Sequence, residues 1–502
     1  MVTAALGSRE RRSGAVLRER FLSLNKILVG KSDFFDKEHI EWPPLGKPNI
    51  PKLRRLALQG KKQVPRNSQK AYFEAFINNL PRLSEELVII NDSIRYFFMT
   101  ILANAAIQLA PENPAARDAC RLRAVISDIY DSYLYTARRN DLVGPPTAKA
   151  LPPLGAFIAP HPMFEAPPAP WMLTVDQIAQ FTDQARNRFT VGAVGLPSGY
   201  TNHPILWGVL AHEIGGHDVL HADANLVDQL KEGIHQLFSE QYPQYFSALW
   251  SHWCEEAAAE VCGVLNIGPS FGISSVIYHA IIEPLRARTK IRWSRDLSIR
   301  IHRDRNMGQD RPTLECKILK NPYRGPQEPD SHPVATVIPD LIIGAIKGLR
   351  SLSEEPKTRY ISQIEDLAVG CQPDRPTIMV ESGTRVPGFD ADLPETINAD
   401  QLRASAREVG LLITRLQLKA LNNMSLEEIE VWDDKDECAA QQVAIRLAND
   451  ESIVGDDFDD AQTLAGALIA ILRQPRKYDD VSDALRLAFD YSYESDPLLG
   501  SP

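Results

Sequence analysis

Ten consecutive residues, HEIGGHDVLH at 212–221, concentrate side chains that can bind a metal ion and activate water. The common zinc-hydrolase motif HExxH places two imidazoles four residues apart on one helical face, with a glutamate beside the first as base. Here His212 and His217 are five residues apart, and Glu213 follows the first of them. On a regular α-helix, five residues rotate the second imidazole by roughly 140°, which is too far for one shared metal ion.

A single i→i+5 bulge would bring the two imidazoles into line, and such bulges cluster at functional sites. Gly215 and Gly216 stand where the bulge has to form, and glycine accepts an altered backbone at low cost. The sequence therefore predicts a bulged helix that presents His212 and His217 as two metal ligands. Glu213 would then take a proton from the metal-bound water.

A third ligand has to come from another segment, because a zinc hydrolase uses three protein ligands and keeps one position open for water. The segment EEAAAE at 255–260 supplies candidates, since Glu256 and Glu260 are four residues apart and share a helical face. One of them can bind the metal while the other orients a ligand histidine. The alanines between them are small, which favours close packing against the helix that carries the histidines.

A second register is compatible with the same segment. His217 and His221 are four residues apart, with Asp218 in the place of the usual glutamate. This register needs no bulge and would leave His212 outside the ligand set. The side chain of aspartate reaches less far than that of glutamate, and the paired glycines would have no role, so we rank this register second.

The two segments resemble the motifs of a known family. HEIGGH resembles the HExxGH motif of the dipeptidyl-peptidase III family of zinc peptidases, and EEAAAE resembles its second motif, in the same order and at a similar separation. The resemblance covers about fifty residues and implies that His212, His217 and Glu256 bind Zn²⁺. Glu213 would be the general base, and Glu260 would hold a ligand in place. The family is two-lobed and largely helical, and it removes dipeptides from peptide N-termini through a wide cleft.

The chain also departs from that family. DVLHAD follows the first motif in place of a run that contains glycine and lysine, and an alanine stands in the second motif where arginine is usual. The residues available for the family's transition-state-stabilising histidine and tyrosine are Tyr200, Tyr278, His279 and His332.

Two other classes of function fit parts of the pattern. Helices rich in glutamate and histidine can hold a di-iron centre, which typically uses Glu-x-x-His pairs on two helices. Neither motif contains such a pair, and the nearest approximation is Asp218 with His221. A protein that has kept the metal centre but lost catalysis, and that works by binding partners, is the other class.

Composition and charge limit the remaining choices. Hydrophobic residues make up 44% of the chain and charged residues 24%, which is typical of a globular protein. The formal net charge of −10 argues against a general nucleic-acid binder and gives no reason to expect a membrane surface as partner. The six scattered cysteines include no CxxC pair, and the first thirty residues lack a secretory apolar run. We therefore expect a cytoplasmic enzyme with a peptide substrate; the oligomeric state stays open.

The elements that must position the motifs are predicted to be mainly α-helical, with a minor β component. The predicted regions are an irregular N-terminal wrap (1–65), a helical segment ending in a proline-rich loop (66–171), a catalytic metal-binding core (172–320), a loop-rich connecting region (321–398) and a C-terminal helical region (399–502). Helices are predicted at about 83–110, 117–137, 175–188, 226–238, 246–265, 273–288 and 341–352, and strands within 289–320.

Three local signals lie near these elements. The strand RFTVGAVGLP at 188–197 could be an edge strand that receives an extended peptide beside the cleft, or an ordinary strand of a small sheet. Asn202 and Pro204 predict the start of the motif helix, as cap and first-turn proline. Ser425 and Glu428 predict a capping box.

Overall fold

The computed structural model describes residues 2–31, 55, 58, 116–146, 151–158, 171–173, 191–238, 242–284, 312–320, 328–371, 376–455 and 457–495. Within these residues the protein is mainly helical and contains two small sheets, which confirms the predicted fold class at that level. The helices predicted at 83–110 and 175–188, and most of the strand region 289–320, lie outside the described residues.

In chain order the helices are α1 (Val2–Gly30), α2 (Ala116–Leu134), α3 (Ala137–Leu142), α4 (Leu210–His212), α5 (Leu226–Phe238), α6 (Gln244–His252), α7 (Cys254–Ile267), α8 (Phe271–Ile277), α9 (Ile338–Gly348), α10 (Glu354–Cys371), α11 (Ala399–Arg415), α12 (Leu426–Ile429), α13 (Asp434–Ala448), α14 (Asp460–Arg473) and α15 (Tyr478–Ser495). Two π-helices cover Glu213–Asp218 and Tyr278–Ile282. Short 3₁₀-helices cover Ser198–Asn202, Pro204–Val209, Gly268–Ser270, Ala335–Val337, Lys419–Leu421 and Pro475–Lys477. The strands are β1 (Leu151–Ile158), β2 (Trp171–Leu173), β3 (Val191–Pro197), β4 (Lys317–Ile318), β5 (Thr377–Val380) and β6 (Thr396–Asn398).

Helix α7 lies at the centre of the hydrophobic core. Every residue from Ala257 to Ile267 is buried, and the helix packs against the first π-helix, α9, α11 and α14. The stretch Cys254–Ile282 is long and apolar enough to cross a membrane by composition, but 89% of its most apolar window is buried inside the described structure. Packing in the core therefore accounts for its apolar character.

The first sheet has the order β1-β3-β2, with β1 parallel and β2 antiparallel to the central strand β3. The prediction that β3 could serve as an edge strand is therefore wrong, because both of its edges are already hydrogen-bonded to neighbours. The second sheet has the order β4-β5-β6, and in it β4 is an edge strand.

Three regional predictions need correction. The N-terminal region, predicted to be irregular, contains α1, which buries Leu17, Phe21, Leu24 and Leu28 at three- and four-residue steps. The proline-rich loop contains β1, whose register shifts between Leu151 and Leu154, where two prolines interrupt the pairing. The connecting region, predicted to be loop-rich with one helix at about 341–352, contains that helix as α9 and a second helix, α10, that was not predicted.

The other local predictions are mostly confirmed. Helices α2 and α5 follow their predicted ranges, the region after 399 is helical, and Ser425 forms a capping box with Glu428. The helix predicted over 246–265 is divided into α6 and α7 at Trp253. Pro204 begins a 3₁₀-helix as its first residue, but Asn202 is not the cap. Asn202 ends the preceding 3₁₀-helix, and His203 occupies the cap position without a capping hydrogen bond from its side chain.

Candidate metal centre

The first motif lies on a helix that changes its winding at the predicted point. Helix α4 ends at His212, the π-helix covers Glu213–Asp218, and two further helical residues follow; we call residues 210–220 the motif helix. The extra residue in the wide turn brings His212 and His217 together, with ring centroids 5.0 Å apart and ring planes nearly perpendicular. The bulge predicted from the five-residue spacing is therefore confirmed.

The motif helix lies against α7 with almost no space between the two backbones. A β-carbon built on Gly216 would lie 2.5 Å from the Cα atom of Ala259, whereas one on Gly215 would meet nothing closer than 3.5 Å. Only a glycine at position 216 allows this separation, and an alanine on the facing turn of α7 allows it from the other side. The small residues of both motifs thus set the distance between the histidines and the glutamates.

Three side chains converge between the two helices. His212 Nε2 and His217 Nε2 lie 3.4 Å and 3.3 Å from Glu256 Oε2. One donor atom from each residue lies within 4.8 Å of the other two, and no other group of this kind occurs among the described residues. Glu256 Oε2 is buried and makes no hydrogen bond within the described structure. Two imidazole nitrogens and one carboxylate oxygen, with this orphaned oxygen between them, fit the donor set of a catalytic Zn²⁺ site.

The second register is not assembled in the same way. His221 Nε2 faces Glu255 Oε1 at 3.0 Å, away from the point where the three donor atoms meet. Asp218 is buried in the same π-helix but belongs to no group of metal-binding side chains among the described residues. The bulge therefore selects His212 over His221 as the neighbour of His217.

Each of the two central histidines has a second carboxylate on its other ring nitrogen. His212 Nδ1 lies 3.4 Å from Glu260 Oε1, and His217 Nδ1 lies 3.3 Å from Glu255 Oε1. Glu260, which was predicted to hold a ligand, thus faces His212. Glu255 was not predicted, although its place next to Glu256 in EEAAAE puts it on the flank of the helical face that points at the motif helix.

The carboxylates dominate the electrostatics of the cluster. Burial opposes a charge on His212, but Glu256 and Glu260 outweigh it and raise its pKa to about 9. Burial likewise opposes a charge on Glu256, but His332 and His217 outweigh it and hold its pKa well below the usual range. The result is a compact, buried arrangement of anions facing two imidazoles, which favours the binding of a cation.

Glu213 lies beside this cluster and combines burial with a raised pKa. Its side chain is 7% exposed and lines the same cavity as His212 and Glu256. Burial raises the pKa of Glu213, against the opposing effect of the neighbouring histidines. A carboxylate with a raised pKa can accept a proton and give it up again near neutral pH.

A cavity of about 830 Å³ opens over the cluster. Tyr278, His279 and His332 line it, whereas Tyr200 is buried in the core and has no part in its walls. His332 has an exposed side chain; its Nδ1 lies 2.7 Å from Asp330 Oδ1 and its Nε2 lies 3.4 Å from Glu256 Oε1. Asp330 was not predicted, and its spacing of two residues from His332 on a loop is a weak signal in the sequence.

Comparison of the chain with protein-family models, with curated proteins and with solved structures gives no match. The chemistry of the site has to be read from its own geometry, which supplies three converging donor atoms, a buried carboxylate beside them and an open cavity above them.

Proposed function

We propose that the protein is a zinc-dependent hydrolase of short peptides and that His212, His217 and Glu256 hold the metal. The observation that carries the proposal is the convergence of these three donor atoms within 4.8 Å across a π-helix, at the floor of a cavity. Three protein ligands and an accessible fourth position distinguish a catalytic zinc site from a closed structural one.

A bound Zn²⁺ would supply a Lewis acid and a water molecule of lowered pKa. Glu213 accepts the proton from the attacking water and passes it to the departing amine, and its raised pKa suits this exchange. His332, oriented by Asp330, lines the cavity with its Nε2 3.4 Å from Oε1 of Glu256. From there it donates a hydrogen bond to the carbonyl oxygen of the scissile bond as negative charge develops on that oxygen.

The shape of the cavity supports a peptide as substrate. Its volume of about 830 Å³ is near the upper end of the range for small-ligand sites, about 300–1,000 Å³. Lys317 and Ile318 of β4 contribute to its wall, and the backbone of Asp330 already pairs with the outer edge of that strand. Release of N-terminal dipeptides, a two-lobed architecture and a cytoplasmic location complete the proposal and rest on the family resemblance and the composition.

Metal content and peptide turnover, measured before and after chelation, test the proposal together. We expect about one zinc per chain, hydrolysis of a peptide library, loss of activity on chelation and recovery when zinc is restored. His217→Ala should lose the metal. Two irons per chain would support the di-iron alternative, and a zinc-loaded protein that hydrolyses no peptide would support a binding scaffold.

A further inference from the structure

Two histidines outside the ligand set take equivalent places around the metal centre. His221 Nε2 lies 3.0 Å from Glu255 Oε1, the same oxygen that faces His217 Nδ1 at 3.3 Å. On the other side of the site, His279 Nε2 lies 3.5 Å from Glu260 Oε1, the oxygen that faces His212 Nδ1 at 3.4 Å. Each ligand histidine therefore faces a carboxylate, and that carboxylate faces a second, outer imidazole.

The backbone explains why the arrangement has two sides. On α7, Glu255 precedes Glu256 by one residue and Glu260 follows it by four, which places the two outer carboxylates on opposite flanks of Glu256. His221 follows His217 by four residues at the end of the motif helix, whereas His279 lies on the second π-helix, Tyr278–Ile282. The two outer imidazoles, on opposite flanks of Glu256, thus come from two separate segments of the chain.

We propose that His221 and His279 are positioning residues of the metal centre, which fix the carboxylates that orient His217 and His212. The inference rests on the proposed zinc site. A ligand histidine that binds metal through Nε2 carries its proton on Nδ1 and donates it to a carboxylate. A glutamate side chain has several rotamers. A second donor on the same oxygen restricts it to one of them, and the carboxylate then holds the imidazole of the ligand histidine in one orientation.

The two flanks differ in how firmly they are held. Glu260 also accepts a hydrogen bond from Ser275 Oγ to its other oxygen at 3.1 Å, and it remains fixed in part without His279. Glu255 has its two histidines on one oxygen and is one-third exposed. Loss of His221 should therefore weaken metal binding more than loss of His279.

Zinc affinity, measured by competition with a chromophoric chelator on the full-length protein, tests this inference through a matched pair of variants. The amide nitrogen of glutamine reaches the place of His221 Nε2, whereas that of asparagine falls short of it. His221→Asn should weaken zinc binding by about tenfold, the lower end of the range for groups bonded directly to a ligand, and His221→Gln should stay within about threefold of the wild type. His279→Asn should weaken zinc binding less than His221→Asn does. The double variant His279→Asn with Ser275→Ala should weaken it more than His279→Asn alone.

His235→Asn is the control, because His235 bonds Ser247 and lines no part of the cavity. Circular dichroism of the metal-free variants separates a change in affinity from a change in fold. Equal, wild-type affinity of His221→Asn and His221→Gln would overturn the inference and leave the zinc site intact. A wild-type protein that binds no zinc, or His217→Ala with full affinity, would overturn the proposed function and this inference with it.

Discussion

Gly216 and Ala259 are in backbone contact: a β-carbon on the glycine would lie 2.5 Å from both the Cα and the Cβ atom of the alanine. Gly216 immediately precedes His217, and Ala259 immediately precedes Glu260. The contact therefore sets the distance between the two motifs at a point next to the side chains that meet at the site.

Gly216→Ala should force the motif helix and α7 apart, because the backbone of Ala259 cannot move aside as a flexible side chain would. Insertion of a methyl group into a well-packed core costs about 1–3 kcal/mol, and the same displacement should weaken zinc binding. Gly215→Ala is the matched control, since its β-carbon would make only ordinary contacts of 3.5 Å and longer. Urea unfolding of the metal-free variants measures the cost, and equal stability of the two variants would contradict it.

Glu213→Gln should keep the metal and lose catalysis. The amide has nearly the shape of the carboxylate, and Glu213 is not among the three converging donors, so zinc affinity should change little. Without a base the turnover number should fall by about 10²–10⁴-fold. Metal analysis beside single-turnover kinetics checks both statements, and full activity in a zinc-loaded Glu213→Gln protein would exclude this residue as the base.

His332→Ala, measured on zinc-loaded protein, should lower kcat by about 10²-fold or more, because the imidazole that stabilises the developing charge is lost. Zinc affinity should fall as well, since His332 Nε2 lies 3.4 Å from Oε1 of the proposed ligand Glu256. Asp330→Asn should act in the same direction but more weakly, since it only orients the ring. His252 lines the same cavity but faces the carbonyl oxygen of Pro329 at 3.2 Å, so His252→Ala is the control. A change in KM alone for His332→Ala would assign it to binding.

The sequence predicted the local structure of the site where the spacing of two residues or a small side chain constrained the backbone. The five-residue spacing of His212 and His217, with two glycines between them, leaves few backbones that let both rings meet, and the structure has the expected π-helix. The contribution of Glu255 could not be predicted in this way. It depends on the rotation of α7 about its own axis, which is set by packing on all sides of that helix.

Contacts between distant segments were predictable only in part. RFTVGAVGLP was predicted to form a strand, but whether β3 is central or at an edge depends on β1 and β2, which pair with it from elsewhere. Likewise, His279 faces Glu260 because it lies on a second π-helix. No glycine pair or unusual spacing in the sequence predicts that π-helix.

A buried carboxylate outside the metal centre makes the stability of the protein depend on pH. Glu430 is 6% exposed; Oε1 accepts a hydrogen bond from Asn266 Nδ2 at 3.4 Å, and Oε2 has no partner within the described residues. Burial, with a smaller contribution from the charge of Asp128, raises the pKa of Glu430 to about 8 from an ordinary value of 4.5. The folded state therefore retains a proton that the unfolded chain has already lost.

This contribution to stability is complete below about pH 4.5 and is lost as the pH rises through about 8. Glu430→Gln cannot ionise and keeps an acceptor for Asn266, so it should unfold at nearly the wild-type temperature at pH 5 and several degrees higher at pH 9. Each unit of pKa difference corresponds to about 1.4 kcal/mol, which sets the scale of the gain. Glu428→Gln is the control of opposite sign: hydrogen bonds from Ser425 lower the pKa of Glu428, so this variant should gain nothing at pH 9. Parallel melting curves for Glu430→Gln and wild type from pH 5 to 9 would show that Glu430 is already ionised in the folded protein.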